Sequence, residues 1–303
     1  MNYMKVLENC TLCIRKCNVN RNKEIKGICN SSNTVKIARA ALHFWEEPCI
    51  SGKKGSGTVF FSNCNLKCVF CQNYKISHQG FGAEITIERL AEIFLELQDK
   101  GANNINLVTP THFVPQIIEA LKVAKKNGLN LPIVYNTNSL DTLETIKSLN
   151  GYIDIYLPDF KYFDDKYALK YSKIKGYSTN AISIINEMIN QVGNPLFNSE
   201  GIMIKGVIVR HLLLPGLLFD SKKIIDTIYK NFGDNVYISL MNQYTPMYNA
   251  KIYPEINKAI NEKHYDSIIN YALSIGVKNG FIQDSGSSSE KFVPNFNNEG
   301  VIK

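Results

Sequence analysis

Three cysteines in one short segment are the residues whose type and spacing point most directly to chemistry. Cys64, Cys68 and Cys71 follow the spacing C-x3-C-x2-C, and the aromatic Phe70 precedes the last of them. Thiolates are the soft ligands that zinc and iron–sulfur clusters prefer. Since no fourth cysteine follows nearby, a four-iron cluster at this loop would keep one iron open for a substrate or cofactor. Structural zinc usually takes two distant C-x2-C pairs, so a zinc site that borrows His78 is the weaker alternative.

A second group of cysteines lies near the N-terminus. Cys10, Cys13, Cys17 and Cys29 provide four soft ligands, which predicts a closed metal site that holds zinc or an auxiliary iron–sulfur cluster. A reduced, partly buried cysteine cluster without metal is the alternative. Cys49 has no partner in the sequence and is expected to be a buried free thiol. In a cytosolic protein, such close spacing favours metal ligation over disulfides.

The elements that must position these cysteines alternate between short strands and helices. Apolar runs predict strands at residues 58–61, 104–108, 133–135, 152–157, 205–209 and 236–240. Patterns typical of helices lie between and after them, at residues 86–100, 114–127, 141–149, 165–171, 180–192, 221–231 and 264–274. Six such units in a row predict an α/β fold, a partial (β/α)6 TIM-type barrel with a Cys-rich N-terminal extension. In that architecture the chemistry lies at the C-terminal ends of the strands.

Length and composition agree with a globular protein of this kind. The chain has 303 residues, of which 45% are hydrophobic and 20% charged, enough apolar material for a full core. A Gly/Ser-rich stretch at residues 51–57 is expected to separate a Cys-rich segment, residues 1–55, from the barrel, residues 56–303. The net charge is +7 with no long basic run, so no nucleic-acid partner is expected. Without a signal peptide or a bilayer-spanning stretch, a cytoplasmic location without membrane contact is expected.

The cysteine loop at the end of the first barrel strand resembles the radical S-adenosylmethionine (radical SAM) superfamily. The run Cys71-Gln72-Asn73 is similar to the Cys-x-Asn of the pyruvate formate-lyase activating enzymes. Three longer stretches, at residues 42–47, 106–112 and 156–162, resemble activase-related proteins. The resemblance extends from about residue 10 to about residue 284, which is nearly the whole chain.

This resemblance implies that Cys64, Cys68 and Cys71 hold a [4Fe-4S] cluster whose open iron binds S-adenosylmethionine. Reductive cleavage then gives a 5′-deoxyadenosyl radical that abstracts hydrogen from a protein, for example a glycyl-radical enzyme, or from a small molecule. A reductant such as flavodoxin or ferredoxin is implied as a partner. Two other functions are a non-catalytic electron carrier, which needs a closed four-cysteine cluster, and a zinc-stabilised binding module, which needs no iron.

The resemblance also implies cofactor contacts at the strand ends. Asp159 and Lys161 match the Asp-Leu-Lys run of activases and are expected to recognise the amino-acid portion of the cofactor. Arg210 keeps the arginine that follows the fifth strand, and its fork of donors suits a carboxylate. Phe70 is expected to contact the cofactor from the cysteine loop.

Several positions depart from the activase pattern. Asn136 stands where activases have Asp, and Thr109 begins the segment that replaces their Gly-Gly-Glu; both are kept as candidate contacts, with the ribose and the amine respectively. Gln243 replaces a histidine in the sixth-strand loop. His112 and His211 are expected to support structure rather than to bind a ligand.

Overall fold

One mixed sheet runs through the molecule, which a computed structural model describes over residues 3–283 and 293–303. Its strands are β1 (Val35–His43), β2 (Ser56–Phe61), β3 (Ala83–Ile85), β4 (Ile105–Val108), β5 (Ile133–Thr137), β6 (Ile155–Pro158), β7 (Leu196–Phe197), β8 (Met203–Leu212), β9 (Tyr237–Met241) and β10 (Gly280–Ile282). Their order across the sheet is β10-β9-β8-β6-β5-β4-β2-β1-β3, and β7 pairs with β8.

Helices connect most of the parallel strands. They are α1 (Pro48–Ser51), α2 (Tyr74–Ser77), α3 (Ile87–Asp99), α4 (Val114–Lys126), α5 (Leu143–Ser148), α6 (Asp165–Ser172), α7 (Tyr177–Val192), α8 (Leu218–Phe232) and α9 (Glu262–Ser274). Thr86 caps α3, because its side chain accepts a hydrogen bond from the Arg89 amide. A proline in the first turn of α4 costs no helical hydrogen bond.

The six strands predicted from the sequence are present and pair in parallel in the order β2, β4, β5, β6, β8 and β9. This confirms the α/β fold with a partial TIM-type barrel. A further parallel strand, β10, extends the sheet beside β9. The sequence pattern did not predict β1, whose Lys, Arg and Ala residues are poor or average strand formers.

The first 55 residues are continuous with this sheet. β1 pairs antiparallel with β2 on one side and with β3 on the other. The predicted boundary at residue 55 therefore lies between two paired strands. The division at this residue stays a prediction.

The described C-terminal segment also joins β1. The Ala40 amide donates to the Glu299 carbonyl at 2.8 Å, and the Asn298 amide donates to the Ala38 carbonyl at 3.0 Å. Val301 is fully buried beneath this contact. The segment thus covers the edge of β1 beyond Ile37, which β3 leaves unpaired.

Candidate active site

Strand alternation places three polar residues at one end of the barrel. Successive strand residues point to opposite faces, so residues two apart share a face. Val134, Leu157 and Ile208 pack with α1 in one apolar cluster, separate from the larger core formed with the long helices. Two residues further along these strands or just past their ends come Asn136, Asp159 and Arg210. The two-residue repeat of the strands therefore directs these polar side chains into the barrel interior, as it does the apolar residues.

These strand ends surround a cavity of about 560 Å³. All the residues predicted to bind the cluster or cofactor line it, namely Cys64, Cys68, Phe70, Cys71, Thr109, Asn136, Asp159, Lys161 and Arg210. Gln243 lines it as well. The structure therefore brings together residues that are spread over about 150 positions of the sequence.

The cysteine loop keeps its shape through backbone contacts with distant segments. The Val69 amide donates to the Tyr171 carbonyl, and the Val69 carbonyl accepts from the Asn249 amide, both at 2.9 Å. Asn63 and Lys67 adopt positive φ angles of 71° and 64°, which turn the chain on either side of Cys64. Hydrogen bonds to distant segments and two local turns therefore hold the loop in its conformation.

Each thiol of the loop accepts a hydrogen bond from a different part of the fold. The Asn138 amide approaches the Cys64 sulfur at 3.4 Å. The Ser172 hydroxyl lies 3.2 Å from the Cys68 sulfur, and the Ser77 hydroxyl lies 3.2 Å from the Cys71 sulfur. Such donors stabilise thiolate ligands of a metal centre. No sequence pattern pointed to these donors, since two of the three lie far along the chain from the cysteine they contact.

Burial keeps two of these thiols neutral when no metal is bound. It raises the pKa of Cys68 to about 12 and that of Cys71 to about 11. Lys161 opposes the rise at Cys68, and the Ser77 hydroxyl opposes it at Cys71. Metal binding at this loop must therefore displace thiol protons.

The loop fits a cluster better than a single ion. Within residues 3–283 and 293–303, no three or more His, Cys, Asp or Glu side chains are grouped so as to hold one metal ion. Tetrahedral zinc, with bonds of about 2.3 Å, brings its sulfurs within about 3.8 Å of one another. In a four-iron cluster each thiolate binds a different iron, so the sulfurs need not meet. His78, the alternative zinc ligand, shares a hydrogen bond with Ser77 and packs on Tyr248.

A network of buried charges lines the same cavity as the cysteines. Lys161 Nζ is 2.8 Å from Asp159 Oδ2, and Arg210 Nε is 3.4 Å from Asp159 Oδ1. Arg210 Nη1 lies 2.8 Å from Glu46 Oε2 and 3.9 Å from Glu47 Oε2. Three carboxylates thus share two cations. The sequence reasoning missed both glutamates as site residues, although they belong to the stretch at residues 42–47 that carries the family resemblance.

The carboxylates of the network favour the charged forms of Lys161 and Arg210. Burial acts to lower the pKa of Lys161, but the charge and the hydrogen bond of Asp159 act to raise it, and the net shift is upward. Burial also acts against the charge of Arg210, and the two glutamates with Asp159 raise its pKa despite this. For Glu47 burial raises the pKa and Arg210 opposes the rise. The guanidinium of Arg210 is engaged by carboxylates of the chain itself, so its predicted contact with the cofactor carboxylate stays a prediction.

Thr109 has an unusual backbone at the end of β4. Its φ angle is 57°, a conformation that costs free energy for a β-branched residue and is found where the surroundings enforce it. The Thr109 amide donates to the Asn136 carbonyl at 2.9 Å. The contact ties the ends of β4 and β5 together at the cavity wall.

Two buried histidines form hydrogen bonds with groups of the chain itself. His211 shares hydrogen bonds with the Phe160 carbonyl and the Ser221 hydroxyl. His112 contacts the Ser62 carbonyl just before the cysteine loop. Neither histidine lines the cavity.

Comparison with known proteins agrees with this geometry. The family profile described as Radical SAM superfamily matches residues 58–228, more than half of the chain. The chain belongs to the radical SAM superfamily. Membership implies a [4Fe-4S] cluster and S-adenosylmethionine as cofactors, and radical SAM catalysis as the type of activity. Among the helices of the described residues, none has the length and apolar character needed to cross a membrane.

Two sequence relatives match more than half of the chain. An uncharacterised protein of Methanocaldococcus jannaschii is 33% identical over 277 residues, which cover 88% of this chain and 75% of the relative. The pyruvate formate-lyase-activating enzyme of Clostridium pasteurianum is 24% identical over 199 residues, which cover 62% of this chain and 74% of that enzyme. The radical SAM chain is therefore similar to activating enzymes well beyond the cysteine motif.

Solved structures share the fold. Streptococcus suis SuiB bound to S-adenosylmethionine superposes with a TM-score of 0.53 at 15% identity, over 74% of this chain and 49% of SuiB. Another SuiB structure holds the precursor peptide SuiA. The radical SAM chain spans about half the length of SuiB, and at this identity the likeness concerns the fold alone.

Proposed function

We propose that Cys64, Cys68 and Cys71 hold the [4Fe-4S] cluster of this radical SAM protein and that S-adenosylmethionine binds in the cavity beside them. The observation that carries the proposal is the shared cavity, where the three hydrogen-bonded thiols face the charged ends of β6 and β8. When bound, the reduced cluster supplies the electron that splits S-adenosylmethionine into methionine and a 5′-deoxyadenosyl radical. Three thiolates would leave one iron of the cluster without a protein ligand. An electron carrier with a closed cluster would have a protein ligand on every iron.

The chain's own charges are suited to orient the amino-acid portion of the cofactor. Asp159 can accept from an ammonium, and Lys161 can donate to a carboxylate. Lys161 lies close enough to Cys68 to oppose the rise in its pKa. Arg210 can reach a carboxylate only if it exchanges one of its contacts with Glu46 or Asp159. Asn136 and Thr109 line the same wall and are the candidates for the ribose and the amine.

Aromatic packing keeps water away from the cysteine loop. Phe70 is buried, with its ring in edge contact with Tyr171 at 6.5 Å and with Tyr244 at 5.8 Å between centroids. Its side chain forms part of the cavity wall between Cys68 and Cys71. Exclusion of water protects a reactive radical from side reactions.

We propose that the substrate is a protein, with a glycyl-radical enzyme as the first candidate, and that flavodoxin or ferredoxin supplies the electron. Apolar side chains rim the cavity, since Phe44, Trp45 and Ile282 are 50%, 61% and 53% exposed. Adjacent exposed apolar groups are typical of sites that receive another protein. The relative from Clostridium pasteurianum is an activating enzyme, and SuiB is seen with a peptide.

A small cationic substrate is the second candidate. Glu46 and Glu47 place two carboxylates in the cavity beside a single arginine. An additional cation in the cavity would balance the third carboxylate of the network.

The cofactor chemistry is tested by 5′-deoxyadenosine formation. The protein is purified anaerobically, loaded with iron and sulfide, reduced with dithionite and given S-adenosylmethionine. We expect 5′-deoxyadenosine from the wild type and from Cys49→Ser, whose thiol is buried away from the loop. Cys68→Ala should lose both the cluster absorbance and the product. A fully loaded and reduced wild type that makes no more product than Cys68→Ala would contradict the proposal.

The substrate class is tested by isotope transfer. A candidate glycyl-radical enzyme is produced with glycine deuterated at Cα and incubated with the loaded, reduced protein. Hydrogen abstraction from glycine should place deuterium in the 5′-deoxyadenosine. In the Phe44→Ala, Trp45→Ala double variant, transfer should fall at least about tenfold while cleavage without substrate is unchanged. Deuterium-free product would exclude that protein as the hydrogen donor.

A further inference from the structure

The four N-terminal cysteines converge on one enclosed space. Cys10, Cys13, Cys17 and Cys29 line a cavity of about 20 Å³ that is separate from the active-site cavity. Cys29 is buried, and the other three are partly buried. Residues far apart in the segment are thus folded around a common centre.

Hydrogen-bond donors surround these thiols. The Ile28 amide approaches the Cys17 sulfur at 3.4 Å. Asn65 is buried and lines the same cavity, where its side-chain amide faces Cys13 and has no oxygen or nitrogen partner. An unpartnered buried amide is costly. A thiolate at Cys13 would satisfy it, and backbone donors to sulfur are typical of thiolates that ligate a metal centre.

A buried positive charge lies against the same cavity. Arg21 is fully buried, and no carboxylate of the described residues forms an ion pair with it. Its guanidinium donates to the Ser32 and His112 carbonyls, and Nη1 lies 3.9 Å from the Cys10 sulfur. A buried cation without a counter-charge is strongly unfavourable. A thiolate-ligated metal centre at these cysteines would provide that counter-charge.

We propose that Cys10, Cys13, Cys17 and Cys29 hold a second iron–sulfur cluster. Four thiolates about 2.3 Å from one zinc ion would lie within about 3.8 Å of one another. In the part of the chain that the structure describes, these cysteines are not grouped for a single ion. Loading takes up iron and sulfide and releases the four thiol protons, and the anionic cluster pairs with Arg21.

The site is connected to the active-site loop through Arg15, which lies between Cys13 and Cys17. The Arg15 guanidinium donates to the Asn65 and Leu66 carbonyls at 2.9 and 3.1 Å. It also donates to the carbonyls of residues 172 and 173. A cluster in the N-terminal cysteines therefore fixes the arginine that holds the backbone next to Cys64.

The inference is tested in a chain that has lost the active-site cysteines. Cys64→Ala, Cys68→Ala and Cys71→Ala are combined, and the protein is loaded anaerobically with iron and sulfide in the presence of equimolar zinc. We expect about two to four irons per chain, with matching sulfide, and almost no zinc. Adding Cys10→Ser and Cys17→Ser should remove this iron, whereas adding Cys49→Ser should not. One zinc per chain, or no bound metal in a folded triple variant, would overturn the proposal.

The test is independent of radical chemistry, because the triple variant cannot make 5′-deoxyadenosine. If the triple variant does not fold, the iron content of the wild type is measured instead, together with the change in its cluster spectrum when S-adenosylmethionine is added. Iron in excess of one [4Fe-4S] cluster, with part of the cluster spectrum unchanged by S-adenosylmethionine, supports the second site. If the wild type binds iron for one cluster only, and its whole cluster spectrum changes with S-adenosylmethionine, the second site is refuted.

Discussion

At the scale of single residues, the site is an arrangement of mutually dependent charges. Asp159 and the two glutamates would be costly to bury without Arg210 and Lys161, and each cation is equally dependent on the acids. Removal of one partner from a buried ion pair leaves an uncompensated charge, which costs more than the pair itself contributes. The stability of the apo protein and the shape of the cofactor site are therefore linked through the same side chains.

Arg210→Met should lower the free energy of unfolding by about 3–5 kcal/mol, because it leaves three buried carboxylates with one cation. Urea denaturation of the apo protein measures the change. Adding Glu46→Gln should recover part of the loss, since it removes one of the stranded charges. An Arg210→Met protein as stable as the wild type would show that the network contributes nothing.

A buried histidine predicts how stability depends on pH. Burial lowers the pKa of His211 from 6.5 to about 4. Above pH 6.5 neither state binds a proton at this ring, and between pH 6.5 and about 4 only the unfolded state does. The free energy of unfolding should therefore fall as pH falls through this range, by up to about 3 kcal/mol from this residue.

His211→Gln should remove this contribution. Urea midpoints of wild type and variant are compared at several pH values from 4 to 7.5, and their difference should be larger at neutral pH than at pH 4. Carboxylates that titrate in the same range contribute equally to the stability of both proteins, so their effect is absent from the difference. A difference that is constant with pH would contradict a neutral buried His211.

At the scale of elements, the cysteine loop takes its shape from segments that are not next to it in sequence. Arg15 of the N-terminal segment donates to carbonyls of the loop and of the C-terminal end of α6. The Ser172 hydroxyl of α6 in turn contacts the Cys68 sulfur. Three elements therefore meet at the loop, and one arginine joins them.

Arg15→Ala should loosen the loop, because four carbonyls lose their donor. We expect faster hydrogen exchange over residues 64–71 and a lower rate of iron loading. Lys16→Ala is the matched control, since this neighbouring cation is exposed and forms no hydrogen bond through its side chain among those described. Equal exchange rates in the two variants would show that the Arg15 contacts do not hold the loop.

The strands and helix caps were predictable from the sequence, whereas the contacts between distant segments were not. The six parallel strands and the Thr86 cap were predictable, because local periodicity and capping chemistry produce them. Glu46 and its contact with Arg210 were not, since the residues are 164 positions apart and meet only when β1 folds beside β2. The donors to the thiols were missed for the same reason. The cysteine ligands were recognisable from their residue type and spacing. The groups that surround them are brought there by tertiary contacts.

At the scale of the whole molecule, the C-terminal segment is part of the structure around the cavity. It pairs with β1, buries Val301 and places Val293 and Pro294 at the cavity wall. Gly300 has a φ angle of 71°, and a Cβ there would lie 2.0 Å from the Ala40 carbonyl oxygen. The approach of the two backbones therefore requires glycine.

Gly300→Ala should release this segment and lower the free energy of unfolding by at least about 2 kcal/mol, through backbone strain together with the clash. Gly101→Ala is the matched control, because Gly101 also has a positive φ angle but has open space around its Cβ position. We expect only about 1 kcal/mol from the control. Thermal unfolding and limited proteolysis measure the two effects, and equal losses would show that the contact with β1 is unimportant.

The incomplete barrel has a consequence for what the molecule can admit. In a closed barrel, widening the mouth would break hydrogen bonds of the strand ladder. In the described residues the sheet ends at β10 on one side and at β3 on the other, so a seam separates the two edges. Rotation of one edge away from the other would enlarge the mouth without the loss of a ladder bond. The diameter of the cavity mouth is therefore not fixed by a continuous ring of strand hydrogen bonds.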